Sequence, residues 1–552
     1  MEINKRTILW IVFAVSLIVL WNDWMVSNGK QSMFSATPPA KVATNAPAAK
    51  PAGSDLPAAP QANAVPGTPA VPGAAAPVKA ETITITTDVV KADIDTAGGV
   101  IKRLELLKFR DQQDPSKNQV LFNIAGNNLY VAQTGLLGTS PAGALPNHDT
   151  VFTARPGARA IDGKDQVQLV LDAEQGGVKL TKTFTFKRGD YVIDMRHDVS
   201  NLTQAPVSPS LYLQLEHDGN TPEGSSYFNR TYITPTLYTP EEKYQKLSFE
   251  KIEKGDAEYA KKSTSGWIGV SQHFFVSAFV PPEKVSRTIA AEKKGTNLYA
   301  INTVYPLGTV APGATVSTDV RLYAGPQDEK VLEKVAPGLE LVKDYGWATI
   351  IAKPIFWGMD MIHKVLGNWG WTIIAFTILI KLLFFPLSAA GYRSMAKMKT
   401  LTPKMQAIRE RYKNDPAKMN QATMELYKSE KINPLGGCLP ILVQMPVFLA
   451  LYYVLQASVE LRGAPWVGWI HDLTQPDPWF ILPVIYAISM FITQKLNPAP
   501  ADPVQAKMMM FMPLAFSVMF FFFPSGLVLY WVVNNIVSIG QQWVITKKLN
   551  PQ

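Results

Sequence analysis

The chain is poor in cysteine, histidine and charge, and each shortage closes a class of function. A single cysteine, Cys438, rules out an intramolecular disulfide, so an exported domain must be held together by core packing. The six histidines (148, 197, 217, 273, 363 and 471) are scattered without ligand spacing, and no HExxH or CxxC pair occurs. There is no Walker A loop and no GxSxG elbow either. Nothing therefore points to a bound metal, a nucleotide or a covalent nucleophile; no cofactor is expected, and the chain is not read as an enzyme. Only 18% of the 552 residues are charged, whereas 47% are hydrophobic. That balance suits a membrane core with one sizeable soluble domain. The net charge of +9 is localised rather than spread.

One further absence carries the most information. From Trp369 to Leu387 every side chain except Lys381 is apolar, small or neutral, and no downstream hydrophobic run holds a carboxylate to pair with it. At 1.5 Å per residue the stretch is about 28 Å long, close to the thickness of a bilayer's hydrocarbon. A cation at that depth costs about 2.5 kcal/mol or more, so by default it marks a function. Lys381 lies about 9 Å from the cytoplasmic end of the run. Snorkelling and a water-filled groove therefore read alike: both put the ammonium in an aqueous pocket on the inner side.

The rest of the chain divides by composition. Lys5 and Arg6 precede an apolar run from Thr7 that extends to Val26, without a small-x-small site but with Trp21 and Trp24 suited to an interface. Residues 1–26 are read as an uncleaved anchor rather than a cleaved signal peptide. Residues 27–80, rich in Ala and Pro, read as a flexible linker. In 81–343, segments such as Thr82–Thr86, Gln166–Leu171, Leu180–Phe186 and Leu211–Leu215 alternate with period two, which predicts a large antiparallel β domain of two packed sheets. Its scattered Asp and Lys read as solvated faces, and a carbohydrate- or peptide-binding cleft is the alternative. Residues 344–367 place Trp347, Ile351, Ile355, Met359, Ile362 and Leu366 near helical spacing, interrupted by charge. They read as an amphipathic interfacial helix kinked at Pro354, or as a helix packed on the β domain.

Residues 368–552 hold the Lys381 span and four more, near 439–455, 479–494, 508–523 and 527–545. The loop 388–432 carries ten Lys/Arg against four acids, whereas the loop 460–478 has only Arg462. The positive-inside rule then gives six transmembrane helices, both termini cytoplasmic and the β domain outside. Three spans carry polar stripes: Thr377 with Lys381 and Ser388; Gln444, Tyr452 and Gln456; and Asn534, Ser538, Gln541 and Gln542. Hydrocarbon would not tolerate them facing outward, so they either bond the helices together or line a groove. In the basic loop, Gly391–Arg411 and Ala417–Lys431 read as a helical hairpin broken at Asn414-Asp415-Pro416. Its cations, among them Lys397, Lys399, Lys404, Arg409, Arg411 and Lys418, suit anionic headgroups or the docking of ribosomal RNA or a nascent chain. Met490, Met508, Met509, Met510, Met512 and Met519 give the fourth and fifth spans adaptable side chains, or are plain lipid-facing filler.

Asn433–Pro440, Gln444–Tyr453, Trp469–Leu473 and Phe523–Tyr530 resemble motifs of the YidC/Oxa/Alb family of membrane protein insertases, in its Gram-negative form. The resemblance is dense from about Asp344 to the C-terminus; the anchor, linker and β domain share the family's layout. It implies a five-helix core around a hydrophilic groove, open to cytoplasm and lipid but closed outside. It further implies a cytoplasmic hairpin that meets nascent membrane proteins and the ribosome. A β-supersandwich periplasmic domain would contact the Sec translocon, notably SecD and SecF, and the site would be the bacterial inner membrane. The family's groove cation is commonly arginine where this chain has Lys381, and lysine can lose its proton when desolvated. A secondary transporter would show a repeated half and broken helices, and an intramembrane hydrolase a Ser/His or paired-Asp set; neither pattern is present.

Overall fold

The computed structural model describes residues 80–126, 128–220, 231–413, 415–430, 439–496 and 517–549. The expected anchor, nearly all of the linker and most of the span near 508–523 lie outside them. From Thr82 to Pro326 the chain builds a ten-stranded and a nine-stranded antiparallel sheet that share one apolar core. The period-two alternation of the sequence is the alternation of burial. In Val178–Lys187, Val178, Leu180, Phe184 and Phe186 point into the core, and Leu180 pairs with Val199 and Phe184 with Met195 on the next strand. Each such side chain contributes about 1.5–3 kcal/mol on full burial. Lys182 occupies an inward slot of the same strand and is 1% exposed, so the reading of this domain's lysines as solvated faces fails there.

A short helix, α1 (Phe249–Lys254), and a second, α2 (Glu329–Val335), close the β region. α2 is capped by Asp328, whose carboxylate accepts from the amides of Lys330 and Val331. Next comes α3 (Thr349–Leu366), which runs through Pro354. Ala352, Ile355, Phe356 and Met359 bury one face of α3 in the helical core, while Ile350, Trp357 and Val365 stay exposed on the other. Lys330–Asp360 and Lys353–Glu329, both at 2.8 Å, tie it to α2. The segment thus packs inward and presents an apolar face outward.

The helical part continues with α4 (Trp369–Leu383), α5 (Phe385–Arg411), α6 (Pro416–Ser429), α7 (Leu439–Ala457), α8 (Ile481–Leu496) and α9 (Ser525–Leu549). Asn368 caps α4 at the amide of Trp371, and Asp415 caps α6 at that of Lys418 with Pro416 in the first turn. The run expected to be one straight span from Trp369 to Leu387 is broken at Phe384 and bent by 68°. Pro386 supplies the reason. It has no N–H to give, and its ring would collide with the carbonyl of Leu382 if α4 continued. α5 accordingly begins before the expected hairpin helix and carries its axis away from α4. Among the described residues no single helix is long and apolar enough to cross a membrane; the bent pair α4–α5 passes only together.

Candidate functional site

The bend leaves Lys381 in the last turn of α4, 7% exposed, facing α7 and α9. Its ammonium donates to Gln444 Oε1 on α7 at 3.0 Å and to Ser538 Oγ on α9 at 2.8 Å. Gln444 in turn donates through Nε2 to the Tyr530 hydroxyl at 2.9 Å and to Asn534 Oδ1. Gln541 Nε2 reaches the main-chain carbonyl of Lys381 at 3.2 Å. Residues from three helices therefore converge on one amine, because i, i+4 spacing puts Tyr530, Asn534 and Ser538 on one face of α9.

No carboxylate lies within ion-pair distance of Lys381 among the described residues. Neutral acceptors receive its hydrogen bonds instead, which leaves the positive charge locally uncompensated. Beside it is a cavity of about 20 Å³ walled by Ile380, Phe384, Leu387, Ser388, Gln444 and Val447. That is room for about one water. Gln444 and Ser538 occupy acceptor positions beside the amine that water could otherwise fill.

The other stripe residues are distributed. Thr377 donates to the carbonyl of Ile373 at 2.6 Å, satisfied by its own helix and outside the cluster. Ser388 sits beyond the bend on α5 yet still lines the small cavity. Asn535 bonds Ser489 on α8 at 3.0 Å, and Tyr452 and Gln456 stand at the far end of α7. Tyr530 was missed by the stripe reading, although it lies four residues before Asn534.

In the α5–α6 hairpin, Lys404 pairs with Glu430 at 2.6 Å and Lys418 with Asp415 at 3.2 Å, so two of the expected docking cations are neutralised locally. Lys397 is exposed, and Arg411 lies against the Tyr412 ring. Arg409 is engaged, and the side chain of Lys399 is outside the described set. The opposite ends of α7 and α8 are joined by a folded loop. There the buried Asp477 accepts from Trp469 Nε1 at 2.8 Å and from the amide of Leu482, and the amides of Ser525 and Gly526 donate to Gln475 and Leu473.

Residues 82–358 match the family described as YidC periplasmic domain, and residues 361–552 the family described as 60Kd inner membrane protein. The chain is 59% identical to the membrane protein insertase YidC of Herminiimonas arsenicoxydans, over 99% of this chain and 98% of that one. It is 57% identical to the insertase of the same name from Janthinobacterium sp. (strain Marseille), over 99% of both chains. Among solved structures, an active YidC insertase crystal structure covers 83% of this chain and 91% of its own, at 19% identity and a TM-score of 0.40.

Proposed function

The chain belongs to the YidC family of membrane protein insertases, and we propose that it eases polar polypeptide into the bilayer through the cluster around Lys381. It is an inner-membrane protein with a periplasmic domain, and its activity is membrane protein insertion. One observation carries the finer reading: a buried ammonium bonded, among the described residues, to neutral side chains on two other helices.

The barrier to insertion is the passage of a hydrophilic tail across hydrocarbon, where unpaired backbone groups and carboxylates each cost several kcal/mol. Lys381 attracts acidic residues of the tail, and the exchangeable amides and hydroxyls of Gln444, Asn534, Ser538 and Gln541 stand in for water. In this reading the pocket widens toward cytoplasm and lipid when a client enters. Thr377 supports the helix that carries the amine. The driving energy comes from burying the client's apolar span, at about 0.025 kcal/mol per Å². No nucleotide or cofactor enters, and no bond is made or broken.

The domain scheme that accompanies it is an anchor at 1–26, a linker at 27–80, a sandwich at 81–343, an interfacial helix at 344–367 and a five-helix core at 368–552. Six spans put both ends in the cytoplasm, where the 388–432 hairpin meets nascent chains and the ribosome. The sandwich side faces the Sec translocon, including SecD and SecF. The exposed apolar face of α3 and the exposed Lys397 of the hairpin support this arrangement.

The test is insertion into proteoliposomes of clients with acidic or neutral tails. Lys381→Ala and Lys381→Glu are expected to slow insertion of the acidic-tailed client about ten-fold, equivalent to about 1.4 kcal/mol, and Lys381→Arg to preserve it. An unimpaired Lys381→Glu protein removes the charge from the mechanism.

A further inference from the structure

Two adjoining cavities lie where the sandwich meets the C-terminal end of α7. The larger, about 630 Å³ and partly open, is walled on the helical side by Phe448, Leu449, Tyr452, Ala457 and Phe523. Its volume falls within the range of about 300–1,000 Å³ usual for small-molecule sites. The smaller, about 200 Å³, shares Tyr232 and His273 with it and is polar, lined by Asp111, Gln119 and Arg462.

Arg462 is incompletely satisfied. Its Nη2 donates to the carbonyl of Arg110 at 2.8 Å and to Gln119 Oε1 at 2.6 Å, and its guanidinium lies over the Phe275 ring at 4.7 Å. Nε and Nη1 are buried without a hydrogen-bond partner among the described residues. Burial draws its pKa down to about 10, so it is still a cation at neutral pH. Asp472 and Asp111 attract it through space, but neither forms an ion pair with it among the described residues, and the Asp111 carboxylate accepts from the amides of Gln113 and Asp114. On the shared wall, His273 Nε2 donates to the carbonyl of Gln456 at 2.7 Å, and burial holds the ring neutral, with a pKa of about 4. His273 Nδ1 is therefore an acceptor, and Gln456 Nε2 a donor, neither with a partner among the described residues. A largely buried cation with two donors lacking partners among the described residues, and attracted by Asp111 and Asp472 only through space, is a costly arrangement that an anionic ligand relieves.

We propose that the two cavities together hold one phospholipid. Its phosphate rests against Arg462, its glycerol region lies beside Gln456 and His273, and one acyl chain runs along the α7 wall from Ala457 toward Phe448. The cation at one end and the apolar α7 wall match an amphiphile with an anionic head, while Lys246 and Asp344 on the remaining wall are paired with each other. An extended peptide fits less well, because the α7 backbone is bonded within its own helix and offers a second chain no ladder of donors and acceptors. The assignment rests on the reading of α7 as a membrane span, which gives a lipid lateral access, and not on the role of Lys381.

The experiment is native mass spectrometry of the full-length, delipidated protein titrated with dioleoylphosphatidylglycerol. One lipid is expected to bind more tightly than the rest. Arg462→Gln, and separately Leu449→Trp to fill the larger cavity, are each expected to weaken that lipid at least about ten-fold. Leu449→Trp leaves the bonds of Arg462 to Arg110 and Gln119 intact, so a loss there is not a loss of docking between sandwich and helices. Dioleoylglycerol, which lacks the phosphate, is expected to bind no better to wild type than to Arg462→Gln, and millimolar inorganic phosphate not to compete. Unchanged binding in both variants overturns the proposal. So does displacement of the lipid by phosphate alone, or by an acidic apolar peptide at equal stoichiometry. Lys381→Ala is expected to keep the lipid, which separates this result from the insertion assay.

Discussion

Lys182 and Lys381 are both lysines that reach no carboxylate within ion-pair distance among the described residues, and they are held differently. Lys182 donates to the carbonyls of Gly98 and Thr134, each at 2.6 Å, and lies over the Phe152 ring at 4.8 Å. Thr134 lies on the opposite sheet and Gly98 in the turn between two of its strands, so the amine bridges the sandwich. Burial pulls its pKa from 10.5 down to about 7. It also lowers neighbouring His197 to about 3, with Lys182 adding to the effect. Between pH 7 and 10.5 the unfolded chain binds a proton at Lys182 that the folded chain releases. Sandwich stability should therefore rise with pH in that window, by up to about 1.4 kcal/mol per pH unit from this group. Hydrogen exchange of strand 178–187 at pH 7 and pH 9, corrected for intrinsic rates, reads this; Lys182→Met is expected to lose that part of the slope. An equal slope in the two proteins sinks the assignment. The inward place of Lys182 could be read from period two, since 180, 184 and 186 are core positions. Its carbonyl partners could not, because they lie 84 and 48 residues away.

At the scale of elements, the turn from α4 into α5 decides what Lys381 meets. A straight helix would continue the face of Lys381 to Ser388; the 68° bend ends α4 two residues after the amine. Pro386→Ala removes the obstacle to continuing the helix. Spin labels at the exposed positions Ile378 and Arg393 would lie about 22 Å apart along a straight helix and closer across the bend. The substitution is expected to lengthen that distance and to reduce insertion. An unchanged distance would mean that packing of α5 against α9, and not the proline, sets the angle. The proline is visible in the sequence, but it lies inside the apolar run from Trp369 to Leu387, and hydropathy does not distinguish a straight run from a corner. The hairpin was more legible, because Asp415-Pro416 carries its own start signal within three residues.

At the scale of the whole molecule, the sandwich and the helical part are joined by specific bonds. Lys343, its side chain fully buried, pairs with Glu460 at 2.8 Å and lies over the Phe356 ring at 3.8 Å. Gln112 reaches Thr474 at 3.2 Å, and Arg462 reaches Arg110. Lys343→Met leaves Glu460 without its cation and is expected to destabilise the protein by about 3 kcal/mol. That is the low end for a broken buried pair, since Glu460 keeps some access to water. Lys343→Met combined with Glu460→Met should recover most of the loss in thermal unfolding; a double variant as unstable as the single one would contradict this. The sequence by itself determined the two-sheet domain, the existence of the described helices and the isolation of a cation among apolar residues. Those are local properties of periodicity and hydropathy, written within a few turns or strands. Only the tertiary structure decided that Gln444 and Ser538, 63 and 157 residues from Lys381, accept its hydrogen bonds. It alone revealed that two donors of Arg462 lack partners among the described residues and that α4 ends in a corner. Such pairings depend on which faces close packing brings together, and that choice is made by the whole chain at once.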